Sequence, residues 1–374
     1  MDLNGLRKEI DDIDSAIVNL FEKRMDVTRN IAEFKIANGK KVFDRTRELE
    51  KISLVQSQTH TDFNRQGISE LFAQIMSMSR KLQYQLMTEK GILGRLPFIP
   101  VEHLESARTR VVFQGAEGSY SQAAMEQYFG TAVDSFHVDT FRDAMESLEE
   151  GRCDFAILPI ENSTSGSINE VYDLLVEYEH YIVGQQIIKI EQCLMALPGT
   201  RVEDIRTVYS HPQSLLQSAK YLSQHSWQQI SMQNNAFAAK KVSDDKDRTQ
   251  AAIAGEYAAS VYGLEVLAKG INQEKNNSTR FIIVSNQKIF QKDAGHISIC
   301  LELPHESGAL YHILSHFIFN NLNLTKIESR PIEGKNWEYR FFIDFEGNLS
   351  QSSVVSALRG LREEARNVKI LGNY

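Results

Sequence analysis

Apolar residues in the first ninety positions recur every three or four residues, the period of helix rather than strand. Leu6, Ile10, Ile13, Ile17, Leu20, Val27, Ile31 and Phe34 fall on one stripe and predict a single long amphipathic helix. At 1.5 Å per residue it spans roughly 50 Å, more than a small domain covers alone, so pairing between two chains is expected. Two further helices are predicted over 44–58 and 66–88, and residues 1–90 contain no proline. Gly91, Gly94, Pro97 and Pro100 then mark 91–109 as a linker.

Beyond residue 110 the pattern changes to short unbroken apolar runs between helical stretches. Val111-Val112-Phe113, Phe155-Ala156-Ile157-Leu158 and Phe281-Ile282-Ile283-Val284 read as buried strands of an α/β region over 110–286. A third unit is expected over 295–374. There His296–Leu303, 322–330, Trp337–Phe345 and a short C-terminal stretch are strand-like, while Ala309–Phe319 and Ser352–Ala365 are helical. The order βαββαβ is a ferredoxin-like α+β plan.

At 374 residues the chain exceeds one ordinary core, in keeping with two or three domains. Its net charge of −8 argues against nucleic-acid binding as the main activity, so an anionic substrate must meet a local cluster of cations. No apolar run nears the roughly 18 residues that cross a bilayer, and Met1-Asp2-Leu3-Asn4 lacks a secretory pattern. Cys153, Cys193 and Cys300 form no CxxC pair and fit reduced, buried thiols in the cytoplasm. No cofactor loop or metal-ligand set is evident, so none is expected.

Polar groups interrupt the helical stripes. Arg24 lies on the first seam, with Lys35 four residues past Ile31; a cation there is costly unless an anion meets it. Asp44, Arg47 and Glu48 share a face of the second helix, and Phe72, Met76, Ser79 and Gln83 form one stripe of the third. Each taken singly fits a buried salt bridge, such as Arg24 with Glu48. Together they favour an anion pocket.

On these residues the first ninety positions resemble the all-helical chorismate mutase family, an intertwined dimer of three-helix chains. Arg7, Arg24, Lys35, Asp44, Arg47, Glu48, Ser79 and Gln83 match its active-site positions. The resemblance implies that Arg7 reaches into the partner chain's pocket. It also implies that Arg7, Arg24 and Arg47 hold two carboxylates, Lys35 and Gln83 donate to the ether oxygen, and Glu48 and Asp44 position the ring hydroxyl end.

Four polar segments stand out in 110–286. Gly115-Ala116-Glu117-Gly118-Ser119-Tyr120-Ser121 lies between a strand and a helix, so its amides could face an anion. Pro159-Ile160-Glu161-Asn162-Ser163-Thr164-Ser165-Gly166 follows a strand, with hydroxyls able to cap a helix at about 167–176. Ser210-His211-Pro212-Gln213 precedes a helix carrying Gln217, and Asn276-Asn277-Ser278-Thr279-Arg280 leads into a strand. Each alone is an ordinary cap or turn. A hydrolase relay from Ser210 and His211 is disfavoured because adjacent residues form it poorly and no GxSxG is present.

The set resembles prephenate dehydratase, implying a two-lobed α/β fold like periplasmic binding proteins with the site between lobes. The resemblance makes Thr279 the leading catalytic group, beside Asn162, Ser210 and Gln217, with Glu161 and Arg280 in support. Gly308-Ala309-Leu310 and Glu328-Ser329-Arg330-Pro331 resemble the amino-acid pocket of a phenylalanine-responsive ACT domain, with Ser307 where that family often has proline. A tight turn and a closed edge strand account for the same residues. His312 and His316 have the i, i+4 spacing of helical zinc sites but lack a third ligand.

These resemblances imply an all-α mutase, a two-lobed dehydratase and an ACT regulatory domain in one cofactor-free chain. It would convert chorismate to prephenate and then phenylpyruvate, under phenylalanine restraint, as a homodimer with tetramers left open. A mutase fused to prephenate dehydrogenase is disfavoured because no GxGxxG follows a strand. An amino-acid-sensing protein with inactive catalytic domains is the rival from another class.

Overall fold

The computed structural model describes residues 2–92, 96–104 and 108–374; Gly94 of the expected linker lies outside them. The chain divides into two compact units, residues 1–98 with 295–370, and residues 99–294 with 371–374. No helix among the described residues is long and apolar enough to cross a membrane.

In the first unit, helices α1 (Leu3–Ala37), α2 (Arg45–Ser57) and α3 (Asp62–Glu89) are each opened by a side-chain cap, from Asp2, Asp44 and Thr61. These carboxylate and hydroxyl oxygens answer backbone N–H groups that a helix leaves unpaired at its start. The α1 stripe stays in solvent. Leu6, Ile10, Ile13, Ile17, Leu20, Val27, Ile31 and Phe34 are 41–66% exposed, which a lone amphipathic helix does not sustain without a partner.

The same unit holds the βαββαβ segment. Its strands lie in the order Leu324–Pro331, Tyr339–Glu346, His296–Glu302, with Asn367–Asn373 next to the last of these. Helices Ala309–Phe319 and Ser352–Glu364 complete it. Trp337 was expected to open a strand, but the strand begins at Tyr339 and Trp337 takes a left-handed φ of 62°. That conformation is incompatible with a ladder.

The second unit has two α/β lobes. One sheet runs Tyr181–Lys189, Ser278–Ser285, Phe155–Asn162, Arg110–Gln114, Asp134–Val138; the other runs Glu265–Ala268, Cys193–Ala196, Gln250–Ala254, Thr207–Ser210, Gln228–Ser231. The chain crosses between lobes near Ile190–Gln192 and again near 269–277. Asn272 ties the two crossings, accepting from Gln192 N (3.0 Å) and donating to Ile190 O (3.4 Å) and Glu274 O (2.6 Å). The second half of the expected linker belongs here, because Ile99–Val101 pairs in parallel with Ile289–Gln291. Pro100 is tolerated in that two-stranded edge, where one face of the ladder needs no N–H.

Candidate active sites

Among the helices, the Arg24 guanidinium donates to Ser79 Oγ and to Ile75 O (3.4 Å), and Lys35 Nζ donates to Val42 O (2.6 Å). Burial lowers the pKa of both cations, while Glu48 pushes Arg24 back up and Asp44, Glu363 and Glu48 do the same for Lys35. Ser79 and Gln83 are buried. Gln83 Nε2 donates to Ser79 O (3.1 Å), and its Oε1 has no partner among the described residues.

The expected Arg24–Glu48 bridge is not formed. Both Glu48 oxygens instead accept from Arg80 Nη1, at 2.5 Å each. Asp44 caps α2, accepting from Arg47 N (3.0 Å), and the exposed Arg47 side chain lies beside Glu50 (3.5 Å) rather than with Arg24. Arg7 is exposed and stands about 25 Å along α1 from Arg24, so one protomer does not bring the two together.

In the two-lobed unit the register of antiparallel strands sets Thr279 opposite Asn162 and Arg280 opposite Glu161. Asn162 Nδ2 donates to Thr279 Oγ1 (2.9 Å), and Arg280 pairs with Glu161 (2.6 Å). Asn162 Oδ1 accepts from Thr164 N (3.0 Å), Ser165 N (3.0 Å) and Ser165 Oγ (3.2 Å). Asn162 therefore closes this turn, and the hydroxyls do not cap the next helix: Asn169–Glu177 has no side-chain cap.

Ser210 and Gln217 sit in the other lobe. Ser210 is buried with its Oγ on Ile253 O (2.6 Å) and beside Asn235 Oδ1 (2.9 Å). The backbone O of Gln217 accepts from Gln273 N (2.8 Å), and its side chain is half-buried. Among the described residues, no hydrogen bond joins either side chain to Asn162 or Thr279. His211 caps its own helix through Nδ1 to Gln213 N (3.2 Å), and burial lowers its pKa.

In the 115–121 loop, Gly115 N, Gly118 N and Ser119 N are taken by Val138 O (2.9 Å), Gln122 Oε1 (2.7 Å) and Ala116 O (3.1 Å), so these three amides do not face an anion. The loop also meets the other lobe. Tyr262 Oη donates to Glu117 O (2.7 Å), Tyr257 Oη donates to Glu126 (2.5 Å), and Tyr120 packs over Gly255.

Gly308 takes a left-handed φ of 81° before helix Ala309–Phe319. Ala309 and Leu310 line a cavity of about 160 Å³ with Pro304, Trp337, Tyr339 and Phe341. Glu328, Ser329, Arg330 and Pro331 lie on the edge strand, with Lys326 beside Glu328 (3.2 Å), and do not line that cavity. His316 sits 3.0 Å from Glu364, and the His312 ring lies beside Gly308.

Residues 6–84 match the chorismate mutase type II family model, and residues 111–289 match that of prephenate dehydratase. The bifunctional chorismate mutase/prephenate dehydratase of Buchnera aphidicola subsp. Schizaphis graminum is 34% identical across 100% of this chain and 96% of its own length. The chain belongs to the bifunctional chorismate mutase/prephenate dehydratase family. Prephenate dehydratase from Arthrobacter aurescens, solved in complex with L-Phe, matches with a TM-score of 0.65 and 30% identity, covering 71% of this chain and 89% of that one. GqqA, described as a novel type of quorum quenching acylase, also gives a TM-score of 0.65, at 28% identity over 71% of this chain and 97% of that one. The chain is thus a chorismate mutase and a prephenate dehydratase.

Several residues in the mutase and dehydratase regions escaped the sequence reading. Arg80 is buried, with Nε on Glu364 (2.9 Å) as well as Nη1 on Glu48. Around it Tyr84 Oη donates to Glu363 (2.6 Å), Lys81 Nζ to Ser315 Oγ (2.8 Å) and Phe43 N to Glu363 (3.0 Å). Phe43, Glu48, Met76, Arg80, His312 and Glu364 line a cavity of about 230 Å³. Arg80 falls one residue past the Met76–Ser79–Gln83 stripe, and its partner Glu364 is 284 residues away, so local spacing carried no sign of it. Asn235 was likewise legible only once its lobe was assembled, and Asn277, which stands in a marked polar string, shows its contact with Asn162 only in the assembled strands.

Proposed function

We propose that the chain performs both reactions with the residues assigned by its family motifs, restrained by phenylalanine. In the helical region Arg24, Arg47 and the partner chain's copy of Arg7 hold the two carboxylates of chorismate. Lys35 and Gln83 donate to the ether oxygen as negative charge grows there, with Ser79 supporting Arg24. Asp44 and Glu48 face the ring hydroxyl. Holding the substrate in its reactive shape is most of the catalysis, since the rearrangement needs no nucleophile.

The exposed α1 stripe supports a homodimer built on that helix, which would carry Arg7 into the neighbouring pocket. Mixing R7A with R24A protein tests it. A dimer with shared pockets regains mutase activity from two inactive variants; no recovery after verified subunit exchange counts against sharing.

In the dehydratase the ring carboxylate leaves as carbon dioxide, and the electron pair of its C–C bond completes the aromatic ring. The ring C–O bond breaks, and the departing oxygen takes up one proton to leave as water. Thr279 donates to that oxygen, Asn162 holds Thr279, and Arg280 with Glu161 supports the substrate carboxylate end. Ser210 and Gln217 contribute from the facing lobe. The single observation that carries this reading is Asn162 Nδ2 on Thr279 Oγ1, which fills the hydroxyl's acceptor side and leaves its proton to give away.

The βαββαβ segment over 295–374 acts as an ACT domain, and Gly308, Ala309 and Leu310 with Glu328 to Pro331 bind phenylalanine, one copy against another. The L-Phe complex of the Arthrobacter aurescens relative supports this assignment. Three buried, unpaired cysteines fit a cytoplasmic setting, with burial pushing the Cys153 thiol up to about 12. Product analysis from chorismate, with and without phenylalanine, tests the whole. Phenylpyruvate that falls on adding phenylalanine is expected; accumulated prephenate would remove the dehydratase assignments, and untouched chorismate would favour the inactive sensor.

A further inference from the structure

Asn162 has one amide and a crowded set of partners. Its Oδ1 receives two backbone N–H groups and a serine hydroxyl, and its Nδ2 reaches Thr279 Oγ1. Nδ2 also points at the side-chain Oδ1 of Asn277, 2.7 Å away, and at Ser278 O (3.2 Å). Asn277 is buried, and its backbone O accepts from Ile190 N (2.8 Å) at the first crossing between lobes. Around the pair, Ser163 N donates to Ser278 O (2.8 Å) and Ser278 N to Ser163 Oγ (2.9 Å), so the two turns are stitched together.

We propose that Asn277 is a positioning residue for the dehydratase, fixing Asn162 with its NH₂ toward Thr279 so that the threonine hydroxyl must donate outward. An amide turned end over end would present Oδ1 to Thr279 and draw its proton inward, away from substrate. That flip sets Asn162 Oδ1 against Asn277 Oδ1 and Ser278 O, acceptors facing acceptors, and Nδ2 against the Thr164 and Ser165 N–H groups, so Asn277 shares the task of fixing the amide with the backbone of the turn. Among the described residues the Thr279 hydroxyl accepts from Asn162 and donates to no protein group, so the orientation of one amide decides where its proton goes. Asn277 also carries that orientation to the crossing at Ile190, so the lobe connection and the reacting hydroxyl share a common support. The inference rests on the assignment of Thr279 as donor.

The test uses the full chain, with mutase activity as the internal measure of folding. N277L removes the acceptor at similar size, and N277D keeps it. N277L should lower dehydratase kcat by about 10- to 100-fold, the range expected when a reacting group is misplaced, with KM changed much less. N277D should recover kcat to within a few-fold of the parent, and both variants should keep mutase activity. Full kcat in N277L while T279V is inactive overturns the inference and leaves the assignment of Thr279 standing. Equal loss in N277L and N277D also overturns it, because size or the amide donor would then matter rather than the acceptor. Full turnover in T279V removes the donor assignment itself.

Discussion

Arg80 gives one guanidinium nitrogen to both oxygens of Glu48 and another to Glu364, joining a carboxylate assigned to the mutase to one from the last helix. Buried charges are tolerated because they are paired, and losing one partner strands the others. R80M should therefore destabilise the chain by about 3 kcal/mol and lower mutase turnover, while the dehydratase is spared at permissive temperature. Glu364, whose carboxyl His316 and Arg80 hold below its usual range against the effect of burial, would bind protons more readily once Arg80 is gone. The stability deficit of R80M should thus narrow as pH falls toward 5, which thermal melts of both proteins across pH 5–8 will read.

Gln83 is the amide proposed above to meet the developing charge on the ether oxygen. An amide does not titrate near neutrality, so the parent mutase should show a flat pH profile through that region. Q83E should introduce a limb, active when the carboxylic acid is protonated and falling as it ionises. Initial rates from pH 5 to 9 decide it; a steep fall above about pH 6 in the parent would falsify the assignment of Gln83.

Burial lowers the Lys81 ammonium from its usual 10.5 to about 8, with Glu364 partly offsetting and Arg80 adding to the effect. At pH 7 the folded chain holds that charge at a cost. Between pH 8 and 10.5 the unfolded chain binds more protons, so this contribution to stability rises with pH. K81M should melt higher than the parent at pH 7, by on the order of 1 kcal/mol, and lose that advantage by about pH 10.5.

Gly118 sits at φ 79°, where an added Cβ would come within 3.1 Å of the Tyr262 ring and 3.2 Å of Ala258 Cα. Both neighbours belong to the facing lobe, and one is backbone. G118A combines strain on the order of 1–3 kcal/mol with a push against the opposite lobe. A raised dehydratase KM with unchanged mutase kinetics is expected; unchanged KM would mean the lobes close without this contact.

The long stripe of α1 and the strands at 155–158 and 281–284 were legible because each follows from local periodicity. The Thr279–Asn162 pairing was half-legible: both residues stood in marked polar strings, but their register depended on two strands more than a hundred residues apart. Glu48 was assigned a plausible partner in Arg24, since both lay on neighbouring seams, yet Arg80 competes from the next position around α3 and wins with Glu364 behind it. Ser163, Thr164 and Ser165 have the residue types of helix caps, but Asn162 takes the Thr164 and Ser165 amides because its side chain reaches two and three positions forward within the turn. Ile99–Val101 looked like linker because of Pro100, and only the distant Ile289–Gln291 turns it into strand.

The separation of Arg80 and Glu364 along the chain has a bearing on biosynthesis. At 5–20 residues per second, a ribosome needs roughly 15–60 s to make the intervening stretch. For that interval the nascent α3 carries Arg80, Lys81 and Tyr84 without the groups that later enclose them. A segment made well before its partners therefore matures only after them, and a messenger that stalls late leaves α3 unfinished.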